Sequence, residues 1–440
     1  MPFAVLLAPL LVLPAFQGEA PDPYGRPAYA DRLDAPSPDA LLAAASDRKL
    51  SVEERLSVLE LLGWLGRPLD GERVRSLGRR ARSADLRAAW ARCLALSLPD
   101  PDSEEALLRL WRSDRHPEVR AEALLALLAR SAIEDEVALR ALRSSRSPAP
   151  VRVAALRGLA FRGSPHGHAE ALRTLERGDV GPLRWEALAV LRAEPEPGDV
   201  PYLIDLMRRS TGRAAYEAHA LLQEITGYRI GPDWRTWRHF WLRHRAEGTP
   251  FRREDDEEGG ELQTLSYLGL PLTSEHVAFL IDASGSMDQP LYAGGATRRE
   301  RSLEALLDLL PRLPDRARFD VLFFTDAIHA YAPRLVPAEP ERLDSVASWL
   351  RRAAYSGGTN VHDALESALA LDGVEEVLLL SDGRPSVGEV TDPAALAARV
   401  SRWNRWRRVR ISTLAFGAPP DAARFLALLA RENDGSFRAW

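Results

Sequence analysis

Residues 277–287 read Val-Ala-Phe-Leu-Ile-Asp-Ala-Ser-Gly-Ser-Met, and the rest of the carboxyl-terminal part of the chain can be interpreted from this stretch. Its first half is a continuous apolar run, the pattern of a parallel strand that is buried on both faces. Asp282, Ser284 and Ser286 follow directly, and Gly285 permits a tight turn between the serines. One carboxylate and two hydroxyls at the end of a buried strand are oxygen ligands of the kind that Mg²⁺ accepts.

Two later segments add oxygen-bearing side chains in similar positions. Gly-Gly-Thr-Asn at 357–360 precedes an amphipathic helical pattern, and Ser-Asp-Gly at 381–383 follows a second apolar run at 377–380. In open α/β sheets, ligands bind beyond the carboxyl ends of the parallel strands. The sequence therefore predicts that Asp282 and Asp382 lie together at that edge.

These parts, in this order, resemble the metal-ion-dependent adhesion site of the von Willebrand factor A domain family, and the resemblance covers residues 265–440. It implies that two serines and a threonine bind Mg²⁺ (or Mn²⁺ or Ca²⁺) directly, that two aspartates act mainly through bound waters, and that an Asp or Glu carboxylate of a protein partner completes the coordination. The alternative is an ordinary loop in which a serine caps a helix. The five motif positions are Asp282, Ser284, Ser286, Thr359 and Asp382.

Beyond residue 262, apolar runs alternate with helical patterns. This alternation predicts an α/β doubly wound, Rossmann-like domain with a mostly parallel sheet between two layers of helices. A further strand at 331–336 is expected to be antiparallel. The predicted strands are 276–282, 319–326, 375–381, 410–416 and 436–440. The predicted helices are 302–313, 341–354, 362–371, 393–407 and 422–432.

The region 37–246 has a helical period and repeats itself. An arginine followed by Ala- and Leu-rich helical sequence recurs with spacings of 32, 33, 32 and 32 residues, and a sixth, less regular copy lies at 216–222. This resembles the HEAT-type α-solenoid family, in which neighbouring repeats supply each other's core. A bundle of unrelated helices is the alternative. The repeat arginines are Arg55, Arg87, Arg120, Arg152 and Arg184.

The repeat region is expected to end in a tryptophan-rich cap and an acidic linker. Trp234, Trp237 and Trp241 share one face of a helix, and this face is predicted to pack on the last repeat rather than to stack on a ligand. The run Glu-Asp-Asp-Glu-Glu-Gly-Gly-Glu at 254–261 is self-repelling and glycine-containing. The predicted organisation is therefore multidomain, with an all-α solenoid, a flexible linker at 247–262 and an α/β domain at 263–440.

The amino terminus is expected to be an export signal. Residues 3–16 are apolar and uncharged but too few to span a bilayer as a helix, and small residues follow at Gly18 and Ala20. No Lys or Arg precedes the apolar core, which departs from the usual signal. The prediction is a signal peptide at 1–20, an exposed lead-in at 21–36 and a secreted or periplasmic protein.

Composition excludes several classes of function. The net charge of −5 argues against a nucleic-acid partner. Lys49 is the only lysine, and no G-x-x-x-x-G-K-[ST] motif occurs, which argues against phosphate-loop chemistry. Cys93 is the only cysteine, so no intrachain disulfide can form, and its apolar helical surroundings predict a buried thiol.

Two more polar residues near the motif are candidates for a partner-binding rim. Asp326 follows the predicted strand 319–326, and His362 lies three residues after Thr359. For His362 the alternative is a solvated side chain in the first turn of its helix.

The sequence therefore predicts an exported, non-enzymatic interaction protein. Its α/β domain would bind a divalent cation and, through it, an acidic group of a partner protein, with the helical repeats as a second binding scaffold. Two alternatives are a metal-dependent hydrolase in which the cation activates water, and an assembly or regulatory factor for a protein complex.

Overall fold

The structure is a computed structural model that describes residues 37–65, 71–78, 81–96, 101–247, 265–291, 295–352 and 356–440. The chain divides into two compact units, one up to Pro195 and one from Glu196 onward. The predicted signal peptide, the lead-in and all but the first residue of the predicted linker lie outside the described residues. None of the helices in the described ranges has the length and apolar character needed to cross a membrane.

The first unit is helical, as predicted, and its helices form stacked pairs. Within each pair the two helices pack against each other, and the second helix of one pair also packs against the second helix of the next. Each pair therefore depends on its neighbours for its core, as expected for repeats of this length. The helices are α1 (Pro38–Ser46), α2 (Val52–Leu65), α3 (Gly71–Gly78), α4 (Ala84–Leu96), α5 (Pro101–Ser113), α6 (Pro117–Ala129), α7 (Asp135–Arg143), α8 (Ala149–Phe161), α9 (Pro165–Arg177) and α10 (Pro182–Ala193).

The regularly spaced arginines have a structural role in this stack. Three of them, near the start of the second helix of a pair, donate a hydrogen bond to a carbonyl oxygen in the last turn of the first helix. Those carbonyls have no partner within their own helix, so the arginine satisfies them. The bonds join Arg55 Nε to Ala45 O at 3.0 Å, Arg120 Nε to Trp111 O at 3.3 Å and Arg152 Nε to Leu142 O at 2.9 Å.

Leu124, in the middle of α6, tests whether the repeats form a continuous core. Its side chain is fully buried, so Leu124→Ala removes apolar contacts and leaves a cavity. We expect the free energy of unfolding to fall by about 2–5 kcal/mol in denaturant unfolding followed by circular dichroism. Val180→Ala is the control because Val180 is 73% exposed, and we expect it to change stability by less than about 0.5 kcal/mol. Equal effects of the two variants would contradict the repeat assignment.

The sheet of the second unit is mixed but mainly parallel. Strands β3, β4, β7, β8 and β9 pair in parallel, and the order along the sheet is β5-β4-β3-β7-β8-β9, with β6 also pairing with β4. A separate antiparallel hairpin is formed by β1 and β2. The strands are β1 (Ser266–Tyr267), β2 (Leu270–Pro271), β3 (His276–Asp282), β4 (Arg318–Phe324), β5 (Ile328–Ala330), β6 (Val336–Pro337), β7 (Glu376–Ser381), β8 (Arg410–Ala415) and β9 (Phe437–Ala439).

Helices cover both faces of this sheet. Val277, Phe279 and Ile281 of β3 belong to one hydrophobic cluster, whereas Ala278 and Leu280 belong to the other. Alternate side chains of one strand thus enter two cores, which explains the unbroken apolar run. The predicted doubly wound α/β fold is confirmed. The helices are α14 (Arg298–Leu309), α15 (Pro340–Arg351), α16 (Val361–Ala370), α17 (Pro393–Asn404) and α18 (Pro420–Arg431).

Two predicted elements differ from the structure. The single antiparallel strand expected at 331–336 is wrong: two short strands, β5 and β6, pair with β4 instead. Pro333, which has no N–H to donate to a ladder, lies between them. Helix α14 begins at Arg298 rather than at residue 302, because Thr297 and Glu300 form a reciprocal capping box.

Three helices that the sequence analysis assigned to the repeats belong to the second compact unit: α11 (Val200–Arg209), α12 (Gly212–Thr226) and α13 (Trp234–Glu247). Helix α11 packs against both of the others. Trp237 of α13 is fully buried, and its ring meets that of His219 edge-on. The predicted tryptophan face of this helix is therefore a packing surface at Trp237.

A buried charge network joins α12 to the amino-terminal ends of β7 and β8. Arg213 donates to the backbone carbonyls of Glu375 at 3.0 Å and Arg408 at 2.7 Å. Glu217, one turn later, forms an ion pair with Arg410 of β8. All three charged side chains are at most 10% exposed, so these contacts form part of the interior of the second unit.

Candidate metal site

Asp282 ends β3 and lies beneath the surface of the candidate site. Its side chain is fully buried. One carboxylate oxygen, Oδ1, accepts a hydrogen bond from the backbone N–H of Ser284 at 2.9 Å, and the other, Oδ2, accepts one from the hydroxyl of Ser381 at 2.5 Å. Because Ser381 ends the neighbouring strand β7, the two strand ends hold this carboxylate between them.

The two serines of the motif bring their hydroxyls toward the second aspartate. After Ser284 the chain enters a short 3₁₀ turn, Gly285–Asp288. The Oγ atoms of Ser284 and Ser286 are 3.1 Å apart, and Ser286 Oγ donates to Asp382 Oδ1 at 2.7 Å. Ser286 is exposed, whereas Asp382 is buried. The cluster therefore opens to solvent on the side of Ser286.

Thr359 is carried into the site by a loop with special backbone geometry. Gly357 has a φ of +96°, a conformation that only glycine adopts readily. Thr359 donates its N–H to Ser386 Oγ at 2.9 Å and accepts from the N–H of Ser386 at 3.0 Å. A Cβ atom at Gly383 would lie 3.7 Å from Thr359 Oγ1, so the threonine hydroxyl lies beside the Asp382–Gly383 turn.

Asp382 has a second partner that the sequence analysis did not identify. Arg298, the first residue of α14, donates from Nη1 to Asp382 Oδ2 at 2.5 Å. The same Nη1 lies 3.5 Å from the backbone carbonyl of Ser286. A guanidinium thus approaches the oxygen cluster from the helix that follows the motif.

The electrostatics of the cluster favour a cation. Burial raises the pKa of Asp282 to about 6 despite the hydrogen bonds from Ser381 and Ser284, and the negative charge of Asp382 adds to the rise. Two buried carboxylates in one cluster repel each other unless positive charge lies close by. Arg298 supplies part of that positive charge, and a bound divalent cation would supply the rest.

The donor set fits a hard divalent cation. Asp282, Ser284, Ser286, Thr359 and Asp382 offer only oxygen atoms, without the thiolates or imidazoles that softer metals prefer. When bound, such a cation would supply a positive centre that can hold an additional anionic ligand. The predicted site residues are thus brought together at the carboxyl ends of β3 and β7, where the strand order reverses.

Asp326, one of the two predicted rim residues, contacts the loop that carries Thr359. Its Oδ1 accepts from the N–H of Gly358 at 2.8 Å, although the residue is otherwise exposed. A Cβ at Gly358 would clash with Val387 Cγ2 and would lie 2.9 Å from this oxygen, which explains the glycine. Asp326 therefore supports the position of Thr359.

His362, the other predicted rim residue, is placed differently. It is only 2% exposed, its Nδ1 lies 2.6 Å from a carboxylate oxygen of Asp363, and its Nε2 lies 2.5 Å from Arg399 Nη1. Both the assignment to the rim and the alternative of a solvated side chain are wrong, because the first turn of α16 packs against α17 at this point. His362 cannot contact a partner at the surface.

Three residues of the site were not identified as such from the sequence. Ser381 lies in the Ser-Asp-Gly segment at 381–383. Its position directly before Asp382 at the end of a strand was the signal that could have identified it. Ser386 follows the same strand by five residues, in a loop without a motif. Arg298 is one of many arginines in the chain, and only the packing of α14 against the 3₁₀ turn brings it to Asp382.

Comparison with known proteins supports the assignment of this part of the chain. The family model for the von Willebrand factor type A domain matches residues 275–438. Human inter-alpha-trypsin inhibitor heavy chain H4 is 32% identical over 182 residues, which cover 39% of this chain and 18% of that protein. Human heavy chain H3 is 29% identical over 133 residues, 28% of this chain and 14% of that protein. The match thus spans less than a fifth of these relatives.

Two solved structures each resemble a little over a third of the chain. A von Willebrand factor type A protein from Catenulispora acidiphila is 23% identical with a TM-score of 0.32, over 39% of this chain and 40% of that one. Proximal thread matrix protein 1 from the mussel byssus is 19% identical with a TM-score of 0.28, over 37% and 40%. Together with the family match and the doubly wound sheet, the sequence relatives identify residues 275–438 as a von Willebrand factor type A domain, homologous to the inter-alpha-trypsin inhibitor heavy chains.

Proposed function

We propose that this domain binds one divalent cation and, through it, an acidic side chain of a partner protein. The five oxygen donors identified above hold the cation, which is Mg²⁺ or, alternatively, Mn²⁺ or Ca²⁺. The helical repeats provide a second surface for protein partners, as stacked repeats commonly do. The protein then acts as an interaction protein and not as an enzyme.

The spacing of the oxygen atoms in the cluster is the observation that supports this proposal most directly. Mg²⁺ binds six oxygens at 2.0–2.1 Å in an octahedron, so neighbouring ligands are about 3 Å apart. The Oγ atoms of Ser284 and Ser286 are 3.1 Å apart, and Ser286 Oγ lies 2.7 Å from Asp382 Oδ1. The two hydroxyl oxygens therefore already have the separation of adjacent octahedral positions, and Asp382 lies beside them to contribute its negative charge.

Burial determines how a ligand would reach the site. Asp282, Asp382 and Thr359 are each at most 5% exposed, whereas Ser286 is exposed. The protein donors would thus hold the cation from the buried side of the site, and the side facing solvent would be left for water or for a partner. A carboxylate suits this open position because hard cations prefer oxygen ligands.

Titration of the full chain with Mn²⁺, followed by electron paramagnetic resonance of the free ion, tests the proposal. We expect saturable binding of one ion, reversed by EDTA and competed by Mg²⁺. The absence of saturable binding would contradict the proposal.

The hydrolase alternative has less support from the site. A water activated by a cation still benefits from a positioned general base. The carboxylates of Asp282 and Asp382 each accept hydrogen bonds at both oxygens from groups within the site, which leaves them poorly placed to take a proton from water. No observation favours the assembly-factor alternative over simple binding.

Export forms part of the proposal. It rests on the apolar segment at 3–16 and the small residues Gly18 and Ala20. We expect mature protein outside the cytoplasm, beginning near Pro21. Amino-terminal sequencing of the protein from cell fractions checks this, and full-length protein confined to the cytosol would contradict it.

A further inference from the structure

We propose that Arg298 makes the cation-loaded site selective for an acidic ligand. This inference rests on the proposed cation binding and concerns the charge that remains after the cation is bound. Arg298 contacts Asp382 directly, at 2.5 Å between Nη1 and Oδ2, and its side chain is 20% exposed while that of Asp382 is fully buried. The guanidinium is thus a partly buried positive charge that belongs to the cluster.

The position of Arg298 is fixed by its surroundings. It is the first residue of α14, and the capping box of Thr297 and Glu300 sets where that helix starts. On its other side it packs against Gly417, where an added Cβ would lie 2.8 Å from Arg298 Nε. Gly417 has a φ of +63°, and its N–H donates to the carbonyl of Trp440. The guanidinium therefore fits between α14 and the loop after β8.

One donor of this guanidinium is left unsatisfied. The Nε–H of Arg298 is buried and has no hydrogen-bond acceptor among the described residues. An unsatisfied buried donor costs free energy. The contact with Asp382 offsets that cost and keeps the positive charge beside the cluster.

Arg298 changes the net charge of the cation-loaded site. Asp282 and Asp382 contribute −2, and Arg298 contributes +1, so the protein groups together carry −1. A divalent cation brings the site to +1, which one carboxylate of a partner neutralises. Without Arg298 the two aspartates would already balance the cation, and the loaded site would have no net charge to attract an anion. In a partly buried site such a difference is weakly screened by solvent.

The neighbouring arginines do not provide the same charge. Arg299 forms an ion pair with Asp288, and Arg384 forms one with Asp421. Their charges are balanced by carboxylates outside the oxygen cluster. Arg298 instead pairs with a carboxylate of the oxygen cluster, so a bound cation would compete with it for the negative charge of Asp382.

Replacing Arg298 with Met is expected to strengthen cation binding and to weaken its coupling to a carboxylate. Arg298→Met removes the charge and keeps an unbranched apolar stem in the same space. We expect Mn²⁺ to bind at least about tenfold more tightly, because a repelling charge has been removed. We also expect acetate, used as a carboxylate probe, to lose most of its ability to tighten Mn²⁺ binding. In the wild-type chain acetate and Mn²⁺ should strengthen each other's binding by the same factor.

The experiment measures Mn²⁺ affinity of the full chain by electron paramagnetic resonance, with and without acetate, at constant ionic strength. Arg299→Met is the matched control from the next position, and we expect wild-type affinity and wild-type coupling. Arg298→Lys keeps the charge and should retain part of the coupling. Circular dichroism confirms that each variant is folded before binding is compared.

The outcomes separate this proposal from the one on which it rests. Failure of the wild-type chain to bind Mn²⁺ would overturn both. Wild-type binding combined with unchanged affinity and coupling in Arg298→Met would overturn the selectivity role alone. Weaker Mn²⁺ binding in Arg298→Met would also overturn it and would show that the arginine serves to position Asp382.

Discussion

Replacing Asp282 with Ala is expected to abolish saturable Mn²⁺ binding and, with it, every cation-dependent interaction of the von Willebrand factor type A domain. Asp282 is a fully buried carboxylate at the centre of the oxygen cluster. Its loss leaves the Ser284 N–H without its acceptor and the Ser381 hydroxyl with only a long contact of 3.4 Å to the carbonyl of Gly383, at about 1–3 kcal/mol for each lost hydrogen bond. Removing a buried carboxylate whose pKa is raised offsets part of this cost.

A second variant and a control separate loss of binding from loss of structure. Asp282→Asn keeps the size of the side chain and one acceptor oxygen but removes the charge, and we expect it to lose cation binding as well. Asp288→Ala, in the same 3₁₀ turn, removes an exposed carboxylate outside the oxygen cluster. We expect this control to bind Mn²⁺ like the wild-type chain.

Partner binding should follow cation binding in the same variants. An interaction captured by the immobilised wild-type chain is expected to disappear in EDTA, to return with Mg²⁺ or Mn²⁺, and to be competed by acetate. Capture that persists in EDTA and in Asp282→Ala would place the interaction on another surface, such as the repeats. Turnover of a peptide or phosphoester that is lost in Asp282→Ala would instead favour the hydrolase.

A large loss of stability is expected when the buried charge network of α12 is disrupted. Glu217→Ala removes the carboxylate that lies between Arg213 and Arg410, and it leaves two buried guanidinium groups without that counter-charge. Burial and the nearby charge of Arg410 lower the pKa of Arg213 to about 10, whereas Glu217 opposes the shift. We expect the free energy of unfolding of the second unit to fall by about 3–5 kcal/mol.

Denaturant unfolding with hydrogen exchange of peptides from β7 and β8 measures this effect in the second unit specifically. Glu224→Ala is the matched control, since it removes an exposed carboxylate from the same helix, and we expect a change of less than about 0.5 kcal/mol. Combining Glu217→Ala with Arg410→Met should recover part of the loss, because one of the two buried charges is removed. Equal stability of Glu217→Ala and the wild-type chain would show that the network contributes nothing.

The buried charge network of α12 moves the expected start of the compact α/β unit toward the amino terminus. The acidic composition of 254–261 predicts a linker, and a cut there would separate a fragment that begins near residue 263. The compact unit that contains the sheet, however, begins at Glu196 and includes Arg213 and Glu217. A fragment that is to retain these contacts must therefore begin before Arg213 of α12.

Local patterns allowed the α/β fold and the arrangement of the motif to be predicted from the sequence. Strand β3 occupies His276–Asp282, as its apolar run indicated, because a strand covered on both faces needs apolar residues at every position. Asp282 and Asp382 lie at neighbouring strand ends because parallel strands place their carboxyl ends at one edge. These features depend on residues close together in the chain.

Contacts between distant elements could not be predicted in this way. Arg298 reaches Asp382 across 84 residues, and Glu217 reaches Arg410 across 193. Nothing near either arginine in the sequence distinguishes it from the other arginines, and the burial of His362 likewise depends on Arg399 and the packing of α17. The sequence by itself determined which oxygen-bearing residues end the strands, because strand period and turn chemistry are local properties. The tertiary structure decided which charged groups meet those residues, because such meetings depend on how separate helices pack.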